Sequence, residues 1–187
     1  MANLYAEAQE NAARVGSGLR PMITGLNLPV LNLLTFSLGA SVAAHALYNI
    51  RPDSQPTPEN RMVNICLMAP AIGGESWFQN YTIRNHNYQP KPDRYRICIA
   101  WNKNDFVLKK KDPKTGLLGP GPYKYGNTSL GCNHKGAVEK LKQYFKIHHP
   151  DSFITDVDLS ETGKCHLIRC YASAENARKI SSFFNMQ

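Results

Sequence analysis

The chain has 187 residues, of which 42% are hydrophobic and 19% are charged, so it is large enough for one globular domain with a sizeable core. Its formal net charge of +8 would suit a polyanion, but apart from Lys109–Lys111 beside Lys114 the basic residues are scattered, and no nucleic-acid-binding motif accompanies them. Nucleic acid is therefore not an expected partner. No apolar run reaches the roughly 18 residues of a transmembrane helix. The N-terminus also lacks the apolar core of a secretory signal, so we expect a cytoplasmic protein.

Helical and strand-like segments alternate along the chain. Apolar residues at helical spacing predict a first helix over 3–19. The predicted strands are Val30–Phe36, Met62–Met68, Tyr95–Trp101 and Phe153–Leu159. The other predicted helices cover about 38–49, 75–85, 134–147 and 172–184. Because the first three strands are nearly continuous apolar runs, the pattern predicts an α/β fold with a mostly parallel sheet of about four strands and helices on both faces. We treat 1–187 as a single domain with a long loop insertion at about 106–133.

A serine stands at the junction between the first strand and the helix that follows it. The apolar run ends at Phe36, and a run of small residues begins directly after Ser37. This arrangement is typical of a nucleophile elbow, a strained strand-to-helix turn that presents a serine hydroxyl at the edge of a parallel sheet. Residues two before and two after the serine approach each other in such a turn and must be small. Gly39 meets this requirement, whereas Thr35 is larger than the usual glycine.

An acid and a base follow the later strands in the order that a catalytic triad needs. Asp105 lies just beyond the third strand, and His166 lies in the loop after the fourth. The carboxyl ends of parallel strands share one edge of the sheet, so Ser37, Asp105 and His166 are predicted to meet there. A serine needs a base to take its proton, and the base needs an acid to orient it.

At these residues the chain resembles the α/β-hydrolase superfamily, and more loosely its lipases and esterases. The matching motifs are Thr35–Gly39, Asn104–Val107 and Lys164–His166. The resemblance implies that Ser37 is the nucleophile, that His166 is the general acid and base, and that Asp105 orients it. It further implies that the backbone N–H of Leu38 donates to the oxyanion, and that no metal or organic cofactor is needed.

The chain departs from this family pattern at its start. The family fold has several strands before the elbow strand, and here only one helix is predicted there. We therefore expect a truncated α/β-hydrolase-like fold, either a pared-down hydrolase or a fragment, without the elements that usually supply a second oxyanion donor.

Each assignment has an alternative. Ser37 would also suit the N-cap of a helix, and Asp105 an ordinary turn. His134 competes with His166 for the base, although its place in the strand order suits the role less well.

The cysteines indicate no metal site. Two of the five, Cys66 and Cys98, lie inside predicted strands and are expected to be buried, reduced thiols. Cys132, Cys165 and Cys170 lie in or near loops, without the spacing of zinc ligands. A reduced protein is the default expectation.

The substrate is expected to be a small-molecule or lipid ester with an apolar acyl group. The glycine- and proline-rich loop at 106–133 leaves the strand that carries Asp105, so it would serve as a lid or else be a surface insertion. Trp77 and Phe78, after the second strand, would form an apolar wall of the substrate site. A homo-oligomer is compatible with an open sheet edge. Two rival functions are a non-catalytic hydrolase-like binding or scaffold protein, and polyanion binding through Lys109–Lys114.

Overall fold

A computed structural model describes residues 2–26, 28–47, 62–73, 94–108, 130–148 and 153–185. Its strands are β1 (Val30–Phe36), β2 (Met62–Met68), β3 (Arg94–Trp101) and β4 (Phe153–Asp158). Its helices are α1 (Ala2–Gly25), α2 (Gly39–Leu47), α3 (Ala137–His148), α4 (Ile168–Tyr171) and α5 (Ala174–Asn185), with a 3₁₀ turn at Ser160–Thr162.

The four strands form one parallel sheet in the order β1-β2-β3-β4. Their carboxyl ends are aligned, because Phe36 pairs with Met68, Met68 with Ala100, and Trp101 with Asp158. The segments that leave β1, β3 and β4 therefore start from the same edge of the sheet. This alignment brings residues far apart in the sequence into one place.

Helices cover both faces of the sheet, as predicted. Alternate residues of β2 point to opposite sides: Ile65 packs with apolar residues of α2 and α3, and Cys66 packs with Tyr171 and residues of α5. The α/β class is thus confirmed. In the described part of the chain, β1 lies at one end of the sheet, where Val30 and Leu34 are exposed.

Several helix boundaries differ from the predicted ones. α1 continues to Gly25 rather than residue 19, and its buried side is centred on Ala12 and Gly16, while Val15 and Leu19 are exposed. α3 begins at Ala137 because the preceding residues form turns, in which the Asn133 side chain accepts a hydrogen bond from the Val138 N–H. The predicted last helix, over about 172–184, corresponds to α5, and the short helix α4 before it was not predicted. The helix predicted over 75–85 lies outside the described residues.

None of the helices described combines the length and the apolar character needed to cross a bilayer.

A close contact between two helices fixes α1 against α2. Gly16 is buried there, and a Cβ atom added to it would meet the Val42 carbonyl oxygen and lie 2.7 Å from the His45 Cβ atom. The Arg20 guanidinium also donates to the carbonyl oxygens of Ala46 and His45, near the C-terminus of α2. Such bonds satisfy carbonyl groups that a helix end leaves without partners.

Substituting two glycines of α1 tests this contact. Gly16→Ala should lower the free energy of unfolding by about 1–3 kcal/mol, because the added methyl group has no room. Gly18 is exposed and a Cβ atom there meets nothing within 4 Å. The matched control Gly18→Ala should therefore leave stability unchanged or raise it by about 0.5–1 kcal/mol, because alanine favours a helix. Urea unfolding measures both, and equal effects at the two positions would contradict the α1–α2 packing.

Candidate active site

Ser37 occupies a strained turn between β1 and α2. Its φ angle is +51°, a left-handed conformation that non-glycine residues rarely adopt. Three backbone hydrogen bonds hold the turn: the Ser37 N–H donates to the Met68 carbonyl, and the Ser37 carbonyl accepts from the N–H groups of Ala40 and Ala71, all at 3.0–3.2 Å. Strain of this kind persists only where the surroundings enforce it, and it is common at active sites.

The residues around the turn approach each other closely. A Cβ atom on Gly39 would lie 3.4 Å from the Thr35 Cβ atom, so the threonine is accommodated opposite a glycine. Behind the turn, Ala69 also has a positive φ of 45°. A Cβ atom on Gly131 would lie 2.6 Å from the Pro70 carbonyl oxygen, so only a glycine lets this segment approach the end of β2. The role of Gly131 was not predicted from the sequence.

Asp105 lies in the loop after β3, and its side chain is fully buried. One carboxylate oxygen, Oδ1, accepts hydrogen bonds from the backbone N–H groups of Val107 and Leu108 at 3.0 and 3.2 Å. The other oxygen, Oδ2, lies 2.6 Å from Nδ1 of His166. The two interpretations of Asp105 therefore apply to different oxygens: Oδ1 forms an ordinary turn, and Oδ2 faces the imidazole.

The His166 imidazole lies between the carboxylate and the serine. Its Nδ1 faces Asp105, and its Nε2 lies 3.0 Å from the Ser37 hydroxyl oxygen. An ionised carboxylate can only accept, so the proton of the neutral ring belongs on Nδ1. Nε2 then presents its lone pair to the hydroxyl. The histidine between Ser37 and Asp105 is therefore His166, and not His134, the alternative considered from the sequence.

The loops that carry the acid and the histidine are linked to each other. Asn102 is fully buried, and its amide donates to the Gly163 carbonyl at 2.8 Å while its side-chain oxygen accepts from the Asn104 N–H. The Asn104 amide in turn donates to the Ser160 carbonyl. These bonds fix the distance between the two loops. Sequence reasoning assigned no role to Asn102, although a polar residue directly after a buried strand is a signal for one.

Two aromatic rings adjoin the histidine. Phe36, directly before Ser37, has its ring centroid 5.2 Å from that of His166 and 5.7 Å from that of Tyr171. The Tyr171 hydroxyl donates to Oδ2 of Asp105 at 2.5 Å. Burial, together with the nearby Asp105 charge, raises the pKa of Tyr171, so the hydroxyl keeps its proton as a donor. Neither ring was a predicted site residue.

A disulfide closes the segment that contains His166. Cys165 is bonded to Cys170, so the expectation that these cysteines are reduced was wrong. The sequence placed both of them near loops, but a spacing of five residues does not by itself specify a pair. Cys66, Cys98 and Cys132 are free and buried, as expected for the first two. A hydrogen bond with Cys98 and burial raise the pKa of the Cys66 thiol, which keeps it protonated.

Of the other residues predicted for the site, Leu38 is described by the structure and the substrate contacts are not. Leu38 lies in the turn before α2, and its carbonyl accepts from the N–H groups of Ser41 and Val42. Its own N–H is thus at the N-terminal end of the helix, where backbone donors have no partner within the helix. Trp77, Phe78 and most of the 106–133 loop lie outside the described residues.

In the part of the chain that is described, no group of three or more His, Cys, Asp or Glu side chains is arranged to hold a metal ion.

Comparison of the chain with protein-family models, with curated proteins and with solved structures found no match. Its function must be inferred from the geometry of this site.

Counting thiols tests the disulfide. Protein purified without reductant and then denatured should show three reactive thiols, rising to five after reduction, because only Cys66, Cys98 and Cys132 are free. The Cys165→Ala/Cys170→Ala variant should show three thiols under both conditions. It should also lose about 2 kcal/mol of unfolding free energy, as expected for a short closed loop. Five thiols before reduction would mean that this bond does not form.

Proposed function

We propose that the protein is a serine hydrolase that cleaves a carboxylic ester, with Ser37 as nucleophile, His166 as general acid and base, and Asp105 as orienting acid. The observation that carries the proposal is the hydrogen-bonded series from the Ser37 hydroxyl through both nitrogens of His166 to the buried Asp105 carboxylate. A relationship to the α/β-hydrolase superfamily is part of the same proposal. The parallel sheet and the left-handed serine at the end of β1 support it.

The proposed reaction begins with proton transfer from Ser37 to Nε2 of His166. As Oγ attacks the ester carbonyl, the imidazole becomes positively charged, and the Asp105 carboxylate 2.6 Å from Nδ1 stabilises that charge. The same Nε2 then gives the proton to the alcohol oxygen as the ester C–O bond breaks. The alcohol departs, and the acyl group stays bound to Ser37. A water molecule, activated by the same nitrogen, releases the acid and restores the serine.

The oxyanion formed on the carbonyl needs hydrogen-bond donors. The backbone N–H of Leu38 is the proposed donor, because it directly follows the nucleophile at the N-terminal end of α2, where the helix dipole is positive. Losing one such donor typically reduces kcat by about 10²–10³-fold. A second donor is not assigned.

The substrate is proposed to be a small-molecule or lipid ester with an apolar acyl group. Exposed apolar side chains follow the catalytic residues directly: Phe106 comes after Asp105, and Leu167 and Ile168 come after His166. A charged acyl group would gain nothing from such neighbours. Trp77 and Phe78 remain proposed contacts.

Cellular location and association with other molecules are also matters of proposal. A cytoplasmic location stays a prediction, and the Cys165–Cys170 disulfide counts against it because cytosolic thiols are usually kept reduced. The exposed residues of β1 make self-association reasonable, and no nucleic-acid partner is proposed.

Hydrolysis of a short p-nitrophenyl ester tests the proposal. Ser37→Ala should reduce kcat by roughly a million-fold, because the nucleophile is lost. Asp105→Asn should reduce it about 10⁴-fold, because the amide no longer holds the imidazole in the required tautomer. Ser181→Ala, a substitution of an exposed serine on α5, is the control and should retain the wild-type rate.

Two results would count against this function. Unchanged hydrolysis in Ser37→Ala would assign the activity to another group. No hydrolysis by folded wild-type protein of any ester in a series from acetyl to long acyl groups would favour the rival function, a non-catalytic binding or scaffold protein.

A further inference from the structure

We propose that Tyr171 is a positioning residue of this site: its hydroxyl fixes the Asp105 carboxylate so that the oxygen facing His166 keeps its place through the reaction. This inference rests on the proposed function, because it assigns Tyr171 a part in the same proton transfers. Tyr171 does not contact Ser37 in the described contacts and acts through Asp105.

The two oxygens of the carboxylate are held in different ways. Oδ1 is bound by two backbone N–H groups of its own loop, Val107 and Leu108. Oδ2 is bound by the two side chains of His166 and Tyr171, at 2.6 and 2.5 Å. The imidazole changes its charge during the proposed reaction, whereas the phenol does not. Tyr171 is therefore the constant partner of the oxygen on which the imidazole depends.

The position of the hydroxyl is fixed by its surroundings. The Tyr171 side chain is fully buried, and the Phe36 ring contacts it edge-on while also adjoining the His166 ring. Tyr171 ends the short helix α4 and directly follows Cys170, so the disulfide-closed segment with His166 and the residue next to it contact the same carboxylate. The hydroxyl is shielded from bulk solvent by this burial, and its bond to an ionised acceptor belongs to the stronger class of hydrogen bonds.

The hydroxyl also limits how strongly Oδ2 attracts the proton on Nδ1. The His166 N–H and the Tyr171 hydroxyl both donate to Oδ2. Each of these hydrogen bonds therefore weakens the other, because both draw on the electron density of the same oxygen. Without the phenol, Oδ2 should bind the imidazole N–H more tightly and the carboxylate should be freer to rotate about its own bond. The proton on Nδ1 should then move further toward the carboxylate, and this change is observable by NMR.

Tyr171→Phe tests the inference, because it removes the hydroxyl and keeps the ring. We expect kcat for a p-nitrophenyl ester to fall roughly tenfold or more, the loss typical of one hydrogen bond to a charged group, with KM nearly unchanged. The low-field proton resonance of the His166 Nδ1–H should move further downfield. Tyr144→Phe, on α3 and among core residues, is the control and should change neither measurement.

A second substitution keeps the test decisive if Tyr171→Phe fails to fold. Tyr171→3-fluorotyrosine, introduced by amber suppression, keeps both the ring and the hydroxyl and makes the phenol a stronger donor. The His166 resonance should then move upfield, opposite to its shift in Tyr171→Phe. A resonance at the wild-type position in the folded variants, or a wild-type kcat in folded Tyr171→Phe, would overturn the role of Tyr171.

The two proposals fail in different ways. The NMR measurement needs no substrate, so a shifted His166 resonance in a protein that hydrolyses no ester would reject the hydrolase function and retain the Tyr171 contact. Hydrolysis that depends on Ser37 but not on the Tyr171 hydroxyl would retain the function and reject the positioning role.

Discussion

The buried carboxylate of Asp105 is the group on which the geometry of the site depends. Removing an unpaired carboxylate from water costs several kcal/mol, so a fold can bury one only if it supplies partners. Here four donors come from three places: two N–H groups of the acid loop, the imidazole of His166 and the phenol of Tyr171. The hydrogen bonds to this one carboxylate therefore join the Asp105 loop to His166 and Tyr171, which are more than sixty residues away in the sequence.

The strain at Ser37 is sustained by a different set of interactions. A left-handed serine costs of the order of 1–3 kcal/mol, and the hydrogen bonds from the end of β2 and the start of α2 offset that cost. The turn therefore depends on β2 lying beside β1, because Met68 and Ala71 supply two of these hydrogen bonds. The hydroxyl reaches His166 because the backbone is held in this conformation and because the parallel register aligns the end of β1 with the end of β4, which precedes His166.

Much of the fold could be predicted because its signals are local. The bounds of β1 and β2 agree with those predicted, since a run of apolar residues between turn residues leaves little choice of ends. The ends of α1 and the start of α3 were less well predicted. Gly16 weakens a helix in isolation, but here it allows close packing on α2, and the turn at Asn133 depends on a capping bond to Val138.

The site was predictable only as far as strand order determines it. Ser37, Asp105 and His166 follow the first, third and fourth predicted strands, so their convergence could be expected from topology alone. The contacts of Asn102 and Tyr171 and the Cys165–Cys170 bond could not, because each joins side chains whose approach is decided by how the loops fold back. Neither composition nor spacing encodes such an approach.

Activation of Ser37 by His166 and Asp105 is tested by stoichiometric labelling with a fluorophosphonate, followed by peptide mapping. We expect one phosphonyl group per folded chain, attached to Ser37, with slower labelling when Asp105 is replaced by asparagine and none in denatured protein. Labelling of another residue, or none in the folded wild-type protein, would contradict it.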